Sequence, residues 1–314
     1  FAFQIKVKEN AAELLRQGLR RARVDMVFTG DYQPLERKYL ISRQMLEVCR
    51  DLGFPVFVLE RSPLVLRDLG LLQEINAAAP SVVAFSIIST PDSANYSRVC
   101  EMENLAPPAA RRFAAMEQFA RAGILTGTCC MPILPGLCDD EANLENVVRW
   151  TAEHGGKFVL ASSLTLADQQ KSYVLAEISR RFPELVSRYQ RLYPPGSYAP
   201  QQYPWPKIAI RIRELCEKYG ICDRIPRPIQ PDDKRALNKR IVERLADRLH
   251  EMELDQADEG QLWVVRKAAW AIEDLEEDIR LVYRALGVKG LESIPNIGSR
   301  MGGEIETLLK EFSQ

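Results

Sequence analysis

Five short apolar runs alternate with helical stretches along the first half of this 314-residue chain, and that alternation limits the possible folds more than any other feature. The runs are Val24–Thr29, Pro55–Leu59, Ser81–Ile88, the first half of Ile124–Asp140, and Phe158–Ser162. Between them lie segments with apolar residues at helical spacing: Glu36–Leu52, Leu64–Ala78, a stretch opened by Pro107-Pro108 and running through Ala122, and Ala142 to about His154. A first helix, capped by Asn10, reaches about Ala22. Short continuous apolar runs joined by helices predict a parallel sheet with helices outside it, as a barrel or part of one.

The fourth run carries the densest punctuation. Pro132 and Pro135-Gly136 are expected to stop the strand, and Asp139 and Asp140 to open the next helix. All the loops of unusual composition follow the carboxyl ends of strands: Asp31, Ser62, Ser86–Thr90 and Met131–Asp139. α/β proteins place their ligands on that rim.

From Leu164 to about Gly220 the chain is helical, broken by Tyr193–Pro200 and Tyr203–Pro206. These stretches are expected to pack over one end of the sheet. Pro226–Asp232 holds three prolines and reads as a linker. Beyond it, Leu237–Met252 and Leu262–Ala285 repeat apolar residues at helical spacing, and two short helices flank Ile294-Pro-Asn-Ile-Gly298. The expected domains are 1–226, a linker at 227–235, and an all-helical domain at 236–314.

Composition narrows the chemistry. No apolar run reaches the roughly 18 residues of a membrane span, and there is no signal peptide. Seven cysteines, mostly inside apolar or helical stretches, suit reduced thiols in a cytoplasmic protein. Their spacings match neither a zinc ribbon nor a cluster loop, and no metal ligands are assigned. With only His154 and His250, a histidine metal site or Ser/His/Asp triad is hard to build. From Asp232 onward, 13 basic residues stand against 18 acidic ones, a net of −5; the remainder carries +4.

Five motifs occur in order: Ile5-Lys-Val-Lys-Glu-Asn10, Asp31-Tyr-Gln-Pro-Leu-Glu36, Val65-Leu-Arg-Asp-Leu69, Ala84-Phe-Ser-Ile87 and Met131-Pro-Ile-Leu-Pro-Gly-Leu137. Together they resemble the spore photoproduct lyase-like group of radical S-adenosylmethionine (SAM) proteins. Leu164-Thr-Leu166 with Tyr189 and Tyr193 is similar to a subgroup of it. The resemblance implies a partial (β/α)6 TIM-type barrel around a [4Fe–4S] cluster and SAM. It also implies reduction by ferredoxin or flavodoxin, and a 5′-deoxyadenosyl radical that abstracts hydrogen from the substrate. By the same resemblance, Asp31 would hold the methionine ammonium and Arg61, where the family usually has Lys, the carboxylate. Ser62 and Ser86 would offer hydroxyls to carboxylate or ribose, and the backbone near Met131 and Pro132 would lie against adenine.

Two departures stand out. The Gly30-Asp31 loop is shorter than the family's usual form. The CxxxCxxC cluster loop is expected upstream of Phe1, which is not Met, so the chain reads as a fragment or processed form, inactive without that loop.

The tail resembles the helix-hairpin-helix domain of family X DNA polymerases, through Asn238 opening a helix, Arg266-Lys-Ala-Ala269, and Ile294–Gly298 followed by Ile305 and Leu308. That implies a nucleic-acid partner, contacted through Asn296, Gly298 and Arg300. Asn296 replaces the usual first Gly, which would strain the turn, and Glu304 stands where that family has its lyase lysine. Two alternatives remain open: a non-catalytic nucleic-acid-binding or scaffold protein, and a TIM-barrel enzyme of unrelated chemistry. The substrate is not legible.

Overall fold

The computed structural model of the chain describes residues 6–30, 32–103, 105–227, 229 and 233–312, without the side chain of Asp168. It divides into two compact units, Phe1–Ile225 and Pro226–Gln314.

The first unit is a mixed α/β structure with a five-stranded, all-parallel sheet. Its strands are β1 (Val27–Gly30), β2 (Val56–Glu60), β3 (Ser81–Ser86), β4 (Leu125–Ile133) and β5 (Val159–Ser163), neighbours in space in the order of the chain. Between and around them run α1 (Ala11–Leu19), α2 (Glu36–Tyr39), α3 (Ile41–Leu52), α4 (Leu69–Ala78), α5 (Tyr96–Met102), α6 (Ala109–Arg121) and α7 (Glu141–Glu153). After β5 come α8 (Asp168–Arg181), α9 (Val186–Leu192) and α10 (Trp205–Lys218).

Register assigns the two faces. Val58 pairs with Val83 and Phe85 with Thr128, and this face packs on the helices. Val56, Val58, Val83 and Phe85 share a core with Leu46, Leu72, Ile75, Phe113, Met116 and Phe119. Leu144, Val147 and Val148 of α7 join Cys130 and Val159 in a second core, with Tyr189, Tyr193 and Tyr203. Burial of Tyr193 and Tyr203 gives the Pro/aromatic stretches the expected packing role in part, while Tyr198 stands exposed. The opposite face holds a smaller cluster of Phe57, Val82, Ala84, Cys129 and Phe158, while Phe28 stands 72% exposed.

Several boundaries moved for identifiable reasons. β4 runs through Pro132 instead of ending there, because a register shift between Cys130 and Ile133 falls at the proline, where no ladder hydrogen bond is needed. Asp140 caps α7 as expected, accepting from the Asn143 N–H at 2.9 Å. Glu36–Leu52 is two helices, broken at Leu40 with φ 56°. Leu64–Ala78 starts as a 3₁₀ turn, Pro63–Asp68. α5, preceded by Thr90-Pro91, was not expected at all.

Gly127 of β4 packs against Phe158, the residue before β5. A Cβ there would lie 2.4 Å from the Phe158 carbonyl oxygen and 2.7 Å from its ring. That oxygen already accepts from the Thr128 N–H at 2.9 Å, so it cannot retreat without breaking the ladder. Gly127→Ala is expected to destabilise the unit by about 2–3 kcal/mol, read in a thermal melt as a fall of roughly 5–10 °C. A melt unchanged within 1 °C would contradict the packing described here.

The second unit is all-helical: α11 (Ala236–Leu254), α12 (Glu259–Glu273), α13 (Ile279–Leu286), α14 (Val288–Glu292) and α15 (Ser299–Glu311). Ile241, Leu245, Ala268, Ile272, Leu291, Ile297 and Ile305 form its core. The expected helix over Leu262–Ala285 is two helices, α12 and α13. Asn238, expected to open a helix, is buried two residues inside α11. Its side chain accepts from the Ile279 N–H and donates to the Glu277 carbonyl, both at 2.9 Å, and so ties down the start of α13.

Candidate functional site

The carboxyl ends of the strands converge on one rim. Gly30 ends β1 with φ 153°, and a Cβ there would lie 2.2 Å from the Leu59 carbonyl oxygen, so only glycine fits. Asp31, which follows, lies outside the described residues. Tyr32 is buried beneath the rim. Its N–H donates to Glu60 Oε1 at 2.8 Å, and its phenol donates to Asp68 Oδ2 at 2.8 Å.

Glu60 is itself buried at the end of β2, and its other oxygen accepts from the Ser62 N–H at 3.4 Å. Ser62 Oγ accepts from the Leu64 N–H at 3.2 Å, which starts the 3₁₀ turn. At the end of β3, Ser86 Oγ donates to the Met131 carbonyl at 3.4 Å. The Ser86 carbonyl accepts from Arg112, whose buried guanidinium is bidentate to Glu103.

Between these ends lies a pocket of about 410 Å³ lined by Tyr32, Gln33, Leu59, Glu60, Arg61, Ser62, Ser86 and Met131. Of the residues singled out in the sequence, Arg61, Ser62, Ser86 and Met131 meet here, although 70 positions separate the first from the last. Pro132 continues the strand through a cis Met131–Pro132 peptide and does not line the pocket. Arg61 is exposed and has no hydrogen-bond or ion-pair partner among the described residues, so its charge faces the pocket uncompensated by any salt bridge.

A buried polar network supports the wall. Asp68 is fully buried and takes Arg43 at 2.6 Å, Arg67 at 2.6 and 3.1 Å, and the Tyr32 phenol. Arg67 also bonds Glu36 Oε1 at 3.0 Å and stacks over the Tyr32 ring. Glu36 in turn accepts from the Ser42 N–H at 3.0 Å. Burial pushes the Asp68 carboxyl up, but hydrogen bonds from Arg67, Tyr32 and Arg43 outweigh it and hold the pKa below the usual carboxylate value. Burial, with Asp68 alongside, raises the Tyr32 phenol, which stays protonated as a donor.

Sequence reasoning missed Glu60, Tyr32 and Asp68 as parts of the site. Glu60 carried a signal: a carboxylate closing an apolar strand. Arg67 and Asp68 lie in the Val65–Leu69 motif, but no local pattern places their partners 25–36 positions away.

In the helical unit, Asn296 has φ 66° and sits in the turn before α15. The left-handed conformation expected of a glycine is therefore present, and Asn is among the side chains that adopt it most readily. Gly298 caps α15. Asn296 lines a pocket of about 420 Å³ with Lys267, Trp270 and Pro295, whereas Arg300 lines a smaller groove with Arg248 and Met252. Asn296 in the turn and Arg300 in the first turn of α15 thus address two different grooves, and Gly298 lines neither. Glu304 is ion-paired with Arg248.

The fold and its rim define an α/β protein with a sequentially ordered parallel sheet and a small-molecule-sized pocket at the strands' carboxyl ends. No helix among the described residues is long and apolar enough to cross a membrane. The chain belongs to a family that includes the uncharacterized proteins Rv2578c of Mycobacterium tuberculosis and Mb2609c of Mycobacterium bovis. It is 30% identical to each over 244 residues, which is 76% of this chain and 70% of each relative. No family model and no solved structure matches it.

Proposed function

We propose that the first unit is a SAM-binding partial (β/α)6 barrel of the radical SAM kind, related to spore photoproduct lyase, with SAM seated in the rim pocket. The observation that carries the reading is the meeting of Arg61, Ser62, Ser86 and Met131 around one cavity. Sequential strand order, with helices on one face and a thinly covered opposite face, supports a sheet that curves as part of a barrel.

The pocket suits the ligand. Its volume is within the range of small-molecule sites, about 300–1,000 Å³. Arg61 would pair with the methionine carboxylate, the Ser62 and Ser86 hydroxyls would reach carboxylate or ribose, and the Met131 side would meet adenine. Glu60 holds the Tyr32 and Ser62 backbone on either side of that seat.

The [4Fe–4S] cluster does not fit the residues present. No group of three or more His, Cys, Asp or Glu among the described residues could hold a metal. Burial pushes the Cys129 and Cys130 thiols up to about 12, the opposite of what a thiolate ligand needs. In this reading the chain supplies the SAM seat, and cluster ligands come from outside it. A cluster held elsewhere would supply the radical chemistry; the residues of this chain would position SAM and exclude water. Electrons would come from a ferredoxin or flavodoxin, and the helical unit would contact a nucleic acid through the Ile294–Gly298 turn.

Calorimetric titration of the chain with SAM tests the seat, and saturable binding in the micromolar range is expected. No heat up to 1 mM ligand, as an order of magnitude well above a specific site's Kd, would sink the reading. A gene product that carries an upstream CxxxCxxC segment, reconstituted anaerobically and reduced, is expected to release 5′-deoxyadenosine. SAM binding without that release would leave the non-catalytic alternative.

A further inference from the structure

α12 presents an unusual outward stripe. Trp263, Lys267, Trp270 and Asp274 recur at helical spacing along one exposed line, while Val265, Ala268, Ala269 and Ile272 face the core. The two indoles stand 39% and 54% exposed, edge to face at 5.9 Å. Trp270 and Lys267 form one wall of the 420 Å³ groove, and Pro295 and Asn296 form the other. Lys267, between the two tryptophans in sequence, has no hydrogen-bond or ion-pair partner among the described residues.

Arg266 already lies over the Trp263 ring at 5.0 Å, so Trp270, with the Lys267 ammonium beside it in the groove and unpaired among the described residues, is the face that matches a ligand both flat and anionic. An indole face accepts any nucleobase, and a lysine takes the phosphate that follows it. Duplex DNA hides its base faces in the stack, so the complementary form is single-stranded. We propose that the Trp263–Trp270 face and its groove bind unpaired nucleobases of a single-stranded nucleic acid, with a base stacked on Trp270 and one phosphate on Lys267. This rests on the nucleic-acid reading of the helical unit but uses a surface other than the backbone amides of the hairpin turn. Asp274 closes the stripe and the unit is acidic overall, so stacking rather than charge must supply most of the affinity, and few phosphates can be held.

The test is fluorescence anisotropy of the full chain with a labelled oligo-dT of about 12 nucleotides, a length within single-strand site sizes. Trp270→Ala is expected to weaken binding about tenfold; the ring is more than half exposed, so the fold should survive, checked by an unchanged melt. Lys267→Ala is expected to lower the slope of log affinity against log salt by about 0.7, the value for one phosphate on a single strand. A duplex of equal length should compete weakly. Oligonucleotide binding that is indifferent to Trp270→Ala, or displaced equally by duplex, overturns the platform while the hairpin reading survives. No oligonucleotide binding at low salt overturns both. Quenching of the indoles by a proline-rich peptide but not by the oligonucleotide would assign the face to a protein instead.

Discussion

Arg61→Glu is expected to lower SAM affinity about 100-fold while leaving the melting temperature within about 1 °C. Hydrogen bonds to charged groups contribute roughly 1.5–3 kcal/mol, and a carboxylate in place of the guanidinium adds repulsion of about 1 kcal/mol or more at short range. The side chain is exposed and makes no ion pair or hydrogen bond among the described residues, so its loss removes no contact from the fold. Titration calorimetry against a thermal melt separates the two effects. Arg61→Lys, which restores the residue usual in the resembling family, should recover most of the affinity as a point charge without the planar fork. Unchanged affinity in Arg61→Glu would remove the carboxylate from this end of the pocket.

Asp68→Ala is expected to cost about 3 kcal/mol of stability, toward the lower end for breaking a buried charge pair, because Arg43 and Arg67 are partly exposed and can be rehydrated. The Tyr32 phenol, buried with its Asp68 acceptor gone, accounts for part of that cost. The melting temperature should fall by roughly 6–12 °C for a unit of this size.

The pH dependence has a definite sign. Folding depresses the Asp68 pKa, so its stabilisation is present above the ordinary carboxylate value near pH 4 and is lost as pH falls through the lower folded value. Wild type and Asp68→Ala should therefore differ at pH 7 and converge in acid. A difference that stays constant down to about pH 2 would mean that packing, not the carboxylate, carries the effect. Tyr32→Phe combined with Asp68→Ala should be less than additive, since both remove one hydrogen bond. The network also matters for the pocket. Tyr32 is held at its phenol by Asp68 and at its N–H by Glu60, so this wall does not depend on ligand for its shape.

Those residues mark where sequence reasoning ran out. Arg61, Ser62, Ser86 and Met131 could be placed on one rim because apolar run length locates strand ends, and parallel strands put their carboxyl ends together. Asp68 could not be assigned. Its partners Tyr32 and Arg43 are 36 and 25 positions away, and nothing local encodes that a 3₁₀ turn after β2 swings its carboxylate under the β1 loop. Pro132 was misread for a related reason. A proline ends a strand only where its missing N–H is required, and the register shift that excuses it is a property of the β4–β5 pair.

The sequence by itself determined the class of this protein. Five apolar runs with helical crossovers admit little besides a parallel α/β sheet, and the period of Leu237, Ile241 and Leu245 admits little besides a helical second unit. Both follow from local rules, since chain spacing alone decides which residues share a face. Tertiary structure decided everything that depends on partners distant in sequence. It seated a buried carboxylate under the pocket, left Arg61 at its mouth unpaired among the described residues, and turned two tryptophans outward on α12 where the helical pattern alone required only one buried face.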